Sequence, residues 1–389
     1  MSDAAQPGTA QQVCGRDDQG RWILAVIAKR TYIFVPQGQC VLARQQLPLV
    51  CAPEFADPEQ RLLSADIDLW PFKQRTDVVV NGHAYNHRRS PSFGAAVRVN
   101  QAVKQVAVFG DRRCTLTATD KIVWSAPTTV ERMPLTYAFA YGGKDVLAEE
   151  AHGNPAELLA PYLGAEVSSD MVADASPYIY PRNPVGRGYV VEKSRGAIDG
   201  LALPNFEDPQ NLLTPERLVV GDPGRWPAQP LPAGFGCMDY GVFPRIAWLG
   251  QVPDFDVSLD PRVFGEIARG HANASILKED EQGMGTPSLE SANSAPLGLR
   301  LPYLKGKDEI ELLNLSPHYE KISFRLPRER PKLWVDNRDG TLLPVEPIIH
   351  SVFIAPDENR VAIVWRGSAP ARRPYLNEEM PQMPFAAEW

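Results

Sequence analysis

The sequence predicts a mainly β protein with sandwich- or barrel-like sheets, a long irregular middle rich in Pro and Gly, and a few short helices. Short runs of β-branched and aromatic residues recur between Gly, Pro, Asn and Asp, at the spacing typical of sandwiches and barrels. The 389 residues include 37 prolines, roughly twice the usual share. Because proline fixes φ and lacks an amide donor, this content disfavours a helix bundle.

Residues 21–140 are predicted to form an N-terminal β-rich domain. They follow residues 1–20, which are small and polar and are expected to be disordered. The run RWILAVIAKRTYIFVP at 21–36 predicts a strand or a strand pair, because it is rich in β-branched and aromatic residues and is closed by proline. Two alternating runs meet at Asn100 and Gln101, which predicts a hairpin.

Residues 141–255 are predicted to be an irregular segment, with short helices, packed on the β scaffold. The first part, 145–176, is richer in Ala, Leu and Glu and predicts one or two short helices. The remainder is dense in Pro and Gly, which leaves room for few regular elements. Many aromatic residues are embedded in this segment, and that composition argues against disorder. We therefore expect ordered coil.

Residues 256–370 are predicted to form a C-terminal β-rich domain, followed by an extended tail at 371–389. The runs DEIELLNLSP, KISFRLP, PKLWVDN and SVFIAP are short, alternating or β-branched, and bounded by turn residues. The runs SVFIAP and NRVAIVWRG lie on either side of a DEN sequence and predict a second hairpin.

Charge and hydropathy make several classes of partner unexpected. The formal net charge is -7 and no long basic run occurs, so nucleic acid is not an expected partner. The longest clean apolar run, Trp22–Ala28, is far shorter than the roughly 18 residues of a membrane span. No signal peptide is visible, so we expect a cytoplasmic protein with no membrane partner. The five cysteines form no CxxC pair and are expected to be reduced thiols.

The stretch PRNPVGRGYV at 181–190 contains two closely spaced glycines, Gly186 and Gly188. Such glycines occur in phosphate-binding loops, but the dinucleotide motif needs a third glycine at the start of a helix. Here the third glycine is missing and the following residues favour a strand. We therefore expect a tight turn or a close approach of two backbone segments, and no cofactor.

Two histidines, His83 and His87, have the spacing with which a helix presents two metal ligands. The preceding residues predict a strand and a turn, and Ala84 stands where the zinc-protease motif has glutamate. We therefore expect two surface histidines and no metal.

Paired aspartates offer the other candidate chemistry. Asp66 and Asp68, and likewise Asp254 and Asp256, would each lie on one face of a strand. Such pairs can hydrolyse glycosides or bind a cation, but Asp in Pro-rich sequence more often caps turns. No strong catalytic constellation emerges, so we expect a protein that is not an enzyme.

Aromatic and arginine side chains in the irregular middle are the better candidates for recognition, because such residues dominate protein–protein interfaces. The predicted partner-binding residues are Arg187, Tyr189, Phe206, Trp226, Phe235 and Trp248.

A series of stretches, taken together, resembles a bacterial family labelled as a domain of unknown function, DUF2169. In order they are DLWPFKQRTDVVVNGHA, KQVAVFGDRR, MPLTYAFAYGG, NPVGRGY, LPNFEDP, PAGFG, LPYLKGKDEIELLNL with FRLP, and RVAIVWRG. The resemblance covers residues 20–367 and lies in the order of the motifs, since none is specific alone. Two departures are the Cys114–Thr115 sequence after GDRR and a longer, divergent segment after DFD.

Members of this family are usually encoded beside type VI secretion genes, among VgrG spike proteins and PAAR-like effectors. The resemblance therefore implies an adaptor or chaperone that binds a PAAR-like effector, helps to load it onto the VgrG spike, and catalyses no reaction. Two alternatives remain open. One is a β-sandwich hydrolase, perhaps carbohydrate-active, that uses the paired aspartates. The other is a structural component of the secretion apparatus.

Overall fold

The computed structural model describes residues 9–57, 62–153, 176–239, 278–279, 285–286, 292–376 and 379–389. The strands are β1 Ala10–Arg16, β2 Trp22–Phe34, β3 Gly38–Leu42, β4 Glu54–Asp57, β5 Leu62–Ala65, β6 Thr76–Val80, β7 His83–Tyr85, β8 Ser92–Val99, β9 Ala102–Phe109, β10 Cys114–Leu116, β11 Ile122–Trp124, β12 Arg132–Pro134, β13 Tyr141–Gly142, β14 Arg187–Gly188, β15 Phe206–Glu207, β16 Lys278–Glu279, β17 Gly285–Thr286, β18 Arg300–Leu301, β19 Glu309–Leu313, β20 Lys321–Arg325, β21 Lys332–Val335, β22 Leu343–Val345, β23 Ile348–Ala355, β24 Arg360–Pro370 and β25 Phe385–Glu388.

Helices are few and short within the described residues. The α-helices are α1 Val146–His152, α2 Arg195–Ile198 and α3 Pro215–Leu218. The 3-10 turns are Tyr137–Phe139, Pro223–Ala228, Pro356–Glu358 and Met380–Gln382. The mainly β fold class is therefore confirmed. None of the helices in this described part combines the length and the hydrophobicity of a membrane span.

One large sheet organises the molecule. Its strand order is β15–β9–β8–β19–β20–β3–β2–β24–β23–β6–β18, and β1 pairs with β2 beside this path. Strands from 21–140 and from 256–370 alternate along the order, so the two β-rich regions contribute to one sheet. They also share the largest core, in which Val78 and Val97 lie with Ile322 and Ile363.

The long strand β2 lies in the middle of this sheet and is buried on both faces. It pairs antiparallel with β24 from Ile23 to Ile33. Leu24 and Val26 point into one core, whereas Ile27 points into another. Successive side chains of a strand alternate between its faces. A strand covered on both faces therefore has a continuous apolar sequence, which explains the run that predicted it.

Both predicted hairpins are confirmed. β8 and β9 pair along their full length and meet at Asn100, whose φ is 52°. β23 and β24 also form a hairpin, and Asn359 ends its turn with φ 51°. Asn tolerates the left-handed conformation because its short polar side chain bonds locally, so the turn chemistry was readable from sequence.

The N-terminal segment contains more structure than expected. Ala10–Arg16, within the stretch predicted to be disordered, forms β1 and pairs with β2 in seven-residue register from Ala10↔Ala28 to Arg16↔Trp22. Pro71 packs closely against Gly15 of β1. A segment before β6 therefore crosses β1, and the strand is held on both its edge and its face.

Two buried ion pairs fasten that crossing segment to the sheet. Lys29 Nζ lies 2.8 Å from Asp68 Oδ2, and Lys73 Nζ lies 2.8 Å from Asp77 Oδ2. Lys73 also donates to Ser351 Oγ at 3.1 Å. Removing one partner of such a pair leaves an uncompensated buried charge, at a cost of about 3–5 kcal/mol. These pairs explain Asp68, Lys73 and Asp77 of the DLWPFKQRTD stretch.

The residues on either side of the long stretch 240–291 converge at β6. Met238 N donates to Ser294 O at 2.8 Å. Asn293 Nδ2 and the amide of Ser294 both donate, at 2.9 Å, to the Asp77 carboxylate. The two flanks are therefore joined directly to each other and to the sheet.

The irregular middle has its own core, which we call the middle lobe. It comprises residues 110–130, 141–153 and 176–230, and its interior is formed by Tyr, Val, Leu and Trp side chains. Asp145 begins α1 by accepting a hydrogen bond from the Ala148 amide at 3.1 Å, and its other oxygen accepts from the Val191 amide at 2.9 Å. The predicted ordered coil is therefore packed structure.

Candidate functional site

Four of the six predicted partner-binding residues lie in the interior. Tyr189, Phe206, Trp226 and Phe235 are exposed by only 2%, 1%, 5% and 1%. A side chain so deeply buried contacts no partner in this conformation, and its role here is packing. Trp248 lies outside the described residues.

Tyr189 and Trp226 belong to a hydrogen-bonded aromatic network at the centre of the middle lobe. Trp226 Nε1 donates to the Tyr189 hydroxyl at 2.8 Å, and that hydroxyl donates to Pro177 O at 2.7 Å. The Tyr180 ring lies 5.0 Å from Tyr141 and 5.4 Å from Tyr189, centroid to centroid. Burial raises the pKa of the Tyr189 phenol, so it stays a donor at neutral pH. These contacts fix the aromatic side chains against one another at the centre of the lobe.

Phe206 of the middle lobe and Phe235, which follows the lobe in the chain, both pack on the main sheet. Phe206 lies in β15, which pairs with β9, and its ring meets Phe139 edge-on at 6.5 Å. The carbonyl of Phe235 accepts from the Val80 amide at 2.9 Å. Both side chains enter the largest core. The two segments that carry Phe206 and Phe235 are therefore held in place relative to the sheet.

The two glycines of PRNPVGRGYV permit a close approach of backbones, as predicted. β13 and β14 pair in parallel, with Gly142 opposite Gly188. A Cβ on Gly186 would lie 2.6 Å from Ala140 O and 2.8 Å from the Gly142 Cα. Gly188 has φ 89°, a conformation that side chains disfavour. Larger residues at Gly186 or Gly188 would push these two backbone segments apart.

Arg187, between those glycines, is partly exposed and holds neighbouring segments of the chain together. Its Nε donates to Ala138 O at 3.1 Å and its Nη1 donates to Asn205 Oδ1 at 3.0 Å. The guanidinium also lies 4.3 Å from the Phe139 ring centroid, a cation–π distance. With these contacts, Arg187 links three segments of the chain.

The exposed apolar side chains of the middle lobe are a different set from the predicted one. Val123, Val146, Leu147 and Leu212 are exposed by 44%, 50%, 48% and 40%. We call these four residues the apolar band. A set of large exposed apolar side chains is a candidate interaction surface.

The elements that carry the apolar band are packed against one another. On one side, Leu147 of α1 reaches within 3.4 Å of the Cβ position of Gly196 in α2, and α2 packs on β10. On the other side, Val123 lies in β11, which pairs with β10 and packs on α3. Arg217 of α3 donates to the Leu212 carbonyl at 3.1 Å. The band therefore follows one chain of packed elements.

Ion pairs lie close in the chain to the packed elements that carry the apolar band. Lys193 Nζ lies 2.6 Å from Asp120 Oδ2, and Arg195 Nη1 lies 3.3 Å from Asp199 Oδ2. An apolar centre with a polar border is the usual composition of a protein–protein interface. Sequence reasoning missed this surface because alternation in the short run Ile122–Trp124 does not tell which side chain points outward.

The paired aspartates are placed by the structure as follows. Asp66 and Asp68 are both buried. Asp68 Oδ2 accepts from Lys29 Nζ and from the Val50 amide, both at 2.8 Å. Oδ2 of this buried carboxylate is therefore held by structural partners. Asp254 and Asp256 lie outside the described residues.

The histidines His83 and His87 contact different partners. His83 Nδ1 lies 2.7 Å from Asp357 Oδ2, whereas His87 Nε2 lies 3.1 Å from Ser316 O. The Tyr85 hydroxyl donates to Asp357 Oδ1 at 2.9 Å. β6 and β23 are parallel and end at the same edge, which brings His83 and Asp357 together. In the described ranges, no group of three His, Cys, Asp or Glu side chains has the geometry of a metal site.

Comparison with known proteins places the chain in a family. The model of the family described as an uncharacterised protein conserved in bacteria, DUF2169, matches residues 19–366. No curated protein and no solved structure shows significant similarity. The matched range includes the strands of the main sheet from β2 to the first part of β24, and the whole middle lobe. The chain therefore belongs to the DUF2169 family of bacterial proteins.

Proposed function

We propose that this protein is a non-catalytic adaptor of a bacterial type VI secretion system. It binds a PAAR-like effector in the cytoplasm and helps to load that effector onto the VgrG spike. The ordered series of motifs that resembles the DUF2169 family suggests this role, and the match over residues 19–366 supports the family membership on which it rests.

The observation that carries the binding role is the construction of the middle lobe. A lobe built mostly from loops is held rigid by the buried Trp226–Tyr189 hydrogen bond of 2.8 Å and by its attachment to the sheet. Binding residues are commonly found on loops that a rigid scaffold positions. Pre-organised loops lose little conformational entropy on binding, so the lobe suits recognition.

The apolar band is the proposed contact surface for the effector. Val146 and Leu147 lie side by side at the start of α1, and each is about half exposed. Binding would remove these side chains from water, with a gain of roughly 25 cal/mol for each Å² of apolar surface. The ion pairs around the band would form the polar rim.

The hydrolase alternative receives less support from the described residues. Its catalytic pair would need carboxylates that reach a substrate, but Asp66 and Asp68 are buried and Asp68 is paired with Lys29.

An adaptor and a structural component of the apparatus differ in where the protein ends up. A structural component should be secreted together with the spike, whereas an adaptor should stay in the cell.

Co-purification tests the proposal directly. The tagged protein is co-expressed with a PAAR-like effector that is encoded next to its gene. The affinity of the complex is then measured by calorimetry. We expect Leu147→Asp and Leu212→Asp each to weaken binding by about tenfold or more, the loss typical of an interface anchor. The control is Leu342→Asp, since Leu342 is equally exposed but lies in the β21–β22 turn.

The outcomes are distinct. A complex that is lost in the band variants but kept in the control, with equal melting temperatures, supports the proposal. No complex with the effector or with VgrG, together with normal effector secretion after deletion of the gene, refutes it. Intact binding by both band variants would instead show that the effector contacts another surface of the protein. Detection of this protein in the secreted fraction would favour the alternative that it is a structural component of the secretion apparatus.

A further inference from the structure

Lys104 is a lysine of β9 whose side chain leaves the strand on its apolar face. Side chains alternate along a strand, and Val106 and Val108, on the same face as Lys104, are buried in the largest core. Lys104 also lies opposite Val97 of β8, which is fully buried and belongs to the same core. The residue as a whole is only partly exposed. The side chain of Lys104 therefore begins beside hydrophobic groups and not in open solvent.

The segment before β18 packs against this side chain. A Cβ on Gly298 would lie 3.5 Å from the Cβ of Lys104. Lys104 Nζ donates a hydrogen bond to the Leu297 carbonyl at 2.9 Å. Leu299, the next apolar residue of the segment, is fully buried. The lysine side chain is therefore held between β9 and this segment, with its amine at a backbone carbonyl.

The Lys104 amine lacks the carboxylate that other buried lysines have. Lys29 and Lys73 each lie 2.8 Å from an aspartate oxygen. Among the described residues, the Leu297 carbonyl is the one hydrogen-bond acceptor that Lys104 Nζ contacts, and Asp208 acts on it only from a greater distance. Burial therefore lowers the pKa of the Lys104 amine to about 8, and the Asp208 charge offsets only part of this effect.

A desolvated lysine amine is a nucleophile at neutral pH, because only the neutral form can attack. At pH 7.5 a pKa of about 8 leaves roughly a quarter of the amine neutral, against about 0.1% at the ordinary lysine pKa of about 10.4.

The hydrogen bonding at Lys104 also fits an amide better than an ammonium. An ammonium has three N–H donors, and one described acceptor, the Leu297 carbonyl, receives them. A secondary amide at the same nitrogen has a single N–H, which needs only that one acceptor. It is also uncharged, so it avoids the cost of holding a charge beside apolar groups.

We propose that Lys104 is an acylation site, which takes a small activated acyl group such as acetyl from a thioester. The neutral Nζ attacks the thioester carbonyl carbon, so that the N–C bond forms and the C–S bond breaks. The thiolate leaves with the electron pair of the C–S bond, the nitrogen releases one proton to water, and nothing is oxidised or reduced. The N–H of the product amide keeps the hydrogen bond to the Leu297 carbonyl. This inference does not depend on the proposed secretion role.

Competitive acetylation of the full-length chain tests the proposal. The chain is incubated at pH 7.5 with N,S-diacetylcysteamine, a small acetyl thioester, until a small fraction of its lysines has reacted. The remaining amines are then capped with deuterated acetic anhydride in denaturant, and mass spectrometry gives the relative rate at each lysine. Lys305 and Lys332 are the exposed references. Lys29 and Lys73 are the controls for lysines that are buried but paired.

We expect Lys104 to react roughly tenfold faster than Lys305 and Lys332, because its larger neutral fraction outweighs the lower nucleophilicity of a less basic amine. Lys29 and Lys73 should react more slowly than the exposed references. The rate at Lys104 should level off above about pH 8.5, whereas the rates at the exposed lysines should keep rising to about pH 10. A rate at Lys104 no greater than at the exposed lysines would overturn the proposal. So would a rate that rises in parallel with theirs over the whole pH range.

The variant Asp208→Asn is a second test, which leaves Lys104 in place. Asp208 Oδ1 accepts a hydrogen bond from the Gln210 amide at 2.9 Å, and asparagine retains that acceptor. Because the Asp208 charge raises the pKa of Lys104, its removal should speed acetylation at Lys104 by about twofold and leave the rate at Lys332 unchanged. Slower acetylation at Lys104, with an unchanged melting temperature, would contradict the proposed origin of its reactivity.

Discussion

His350 is a buried histidine whose substitution should alter the pH dependence of stability. It occupies an irregularity in the β23–β24 pairing, between Ile349 and Ser351. The side chain is fully buried, and neither ring nitrogen has a hydrogen-bond partner among the described residues. Burial, reinforced by the positive charges of Lys73 and Arg366, holds the pKa of His350 well below its ordinary value of 6.5.

The sign of the effect follows from proton binding. Below pH 6.5 the unfolded chain protonates His350, but the folded chain does not until the much lower folded pKa is reached. Protonation therefore favours unfolding, and the free energy of unfolding falls by about 1.4 kcal/mol per pH unit. Between pH 6.5 and 5 this single group should remove roughly 2 kcal/mol. Above about pH 7.5 it has almost no effect, because the unfolded chain then no longer protonates it.

The variant His350→Leu keeps an apolar side chain of similar size and removes the titration. We expect it to be as stable as the parent chain at pH 7.5, or slightly more stable, because two unpartnered nitrogens leave the interior. At pH 5 it should exceed the parent by roughly 2 kcal/mol. Ordinary carboxylates titrate lower and are common to both chains, so the difference isolates His350.

Urea unfolding followed by tryptophan fluorescence, from pH 5 to pH 8, measures this difference. The control is His318→Gln, because His318 lies in the turn between β19 and β20 and is not buried. This control should keep the pH dependence of the parent chain. Identical pH dependence of His350→Leu and the parent would show that His350 is protonated in the folded protein or partnered there, and the reasoning would be refuted.

Two further changes probe the middle lobe. Trp226→Ala should lower the free energy of unfolding by about 3–5 kcal/mol, seen as a large fall in melting temperature; an unchanged melting temperature with lost effector binding would mean that the side chain is an interface anchor. Gly186→Ala should cost about 1–3 kcal/mol in urea unfolding because its Cβ meets backbone, and Gly94→Ala, with open space around it, should be far milder; equal effects would contradict the close-approach argument.

Local features of the fold were readable from the sequence. The hairpin turns at Asn100 and Asn359 were predicted because turn chemistry depends on a few adjacent residues. The close approach at Gly186 was also predicted from a local feature, because a residue without a side chain lets another backbone segment come close. The strand between 21 and 36 was recognised from its β-branched composition, which is again local.

The candidate site was much less predictable. Tyr189 and Trp226 were expected at a surface, since aromatics in a Pro-rich loop are typical of recognition segments. The same residue types also build small cores. Their hydrogen bond and shared burial are made with residues far away in the chain, so composition could not separate the two roles. Val123 and Leu147, which are exposed, carried no signal of their own.

The sequence by itself determined the mainly β class, the turns, the tight glycine pair and the resemblance to a bacterial family, because each depends on short stretches of chain. Only the tertiary structure decided that β2 lies between β3 and β24, that Lys29 meets Asp68, and that the aromatic residues of the middle lobe point inward. Strand order, burial and charge pairing are set by contacts between distant residues. The same alternation of apolar and polar side chains is compatible with many such arrangements, and packing selects one of them.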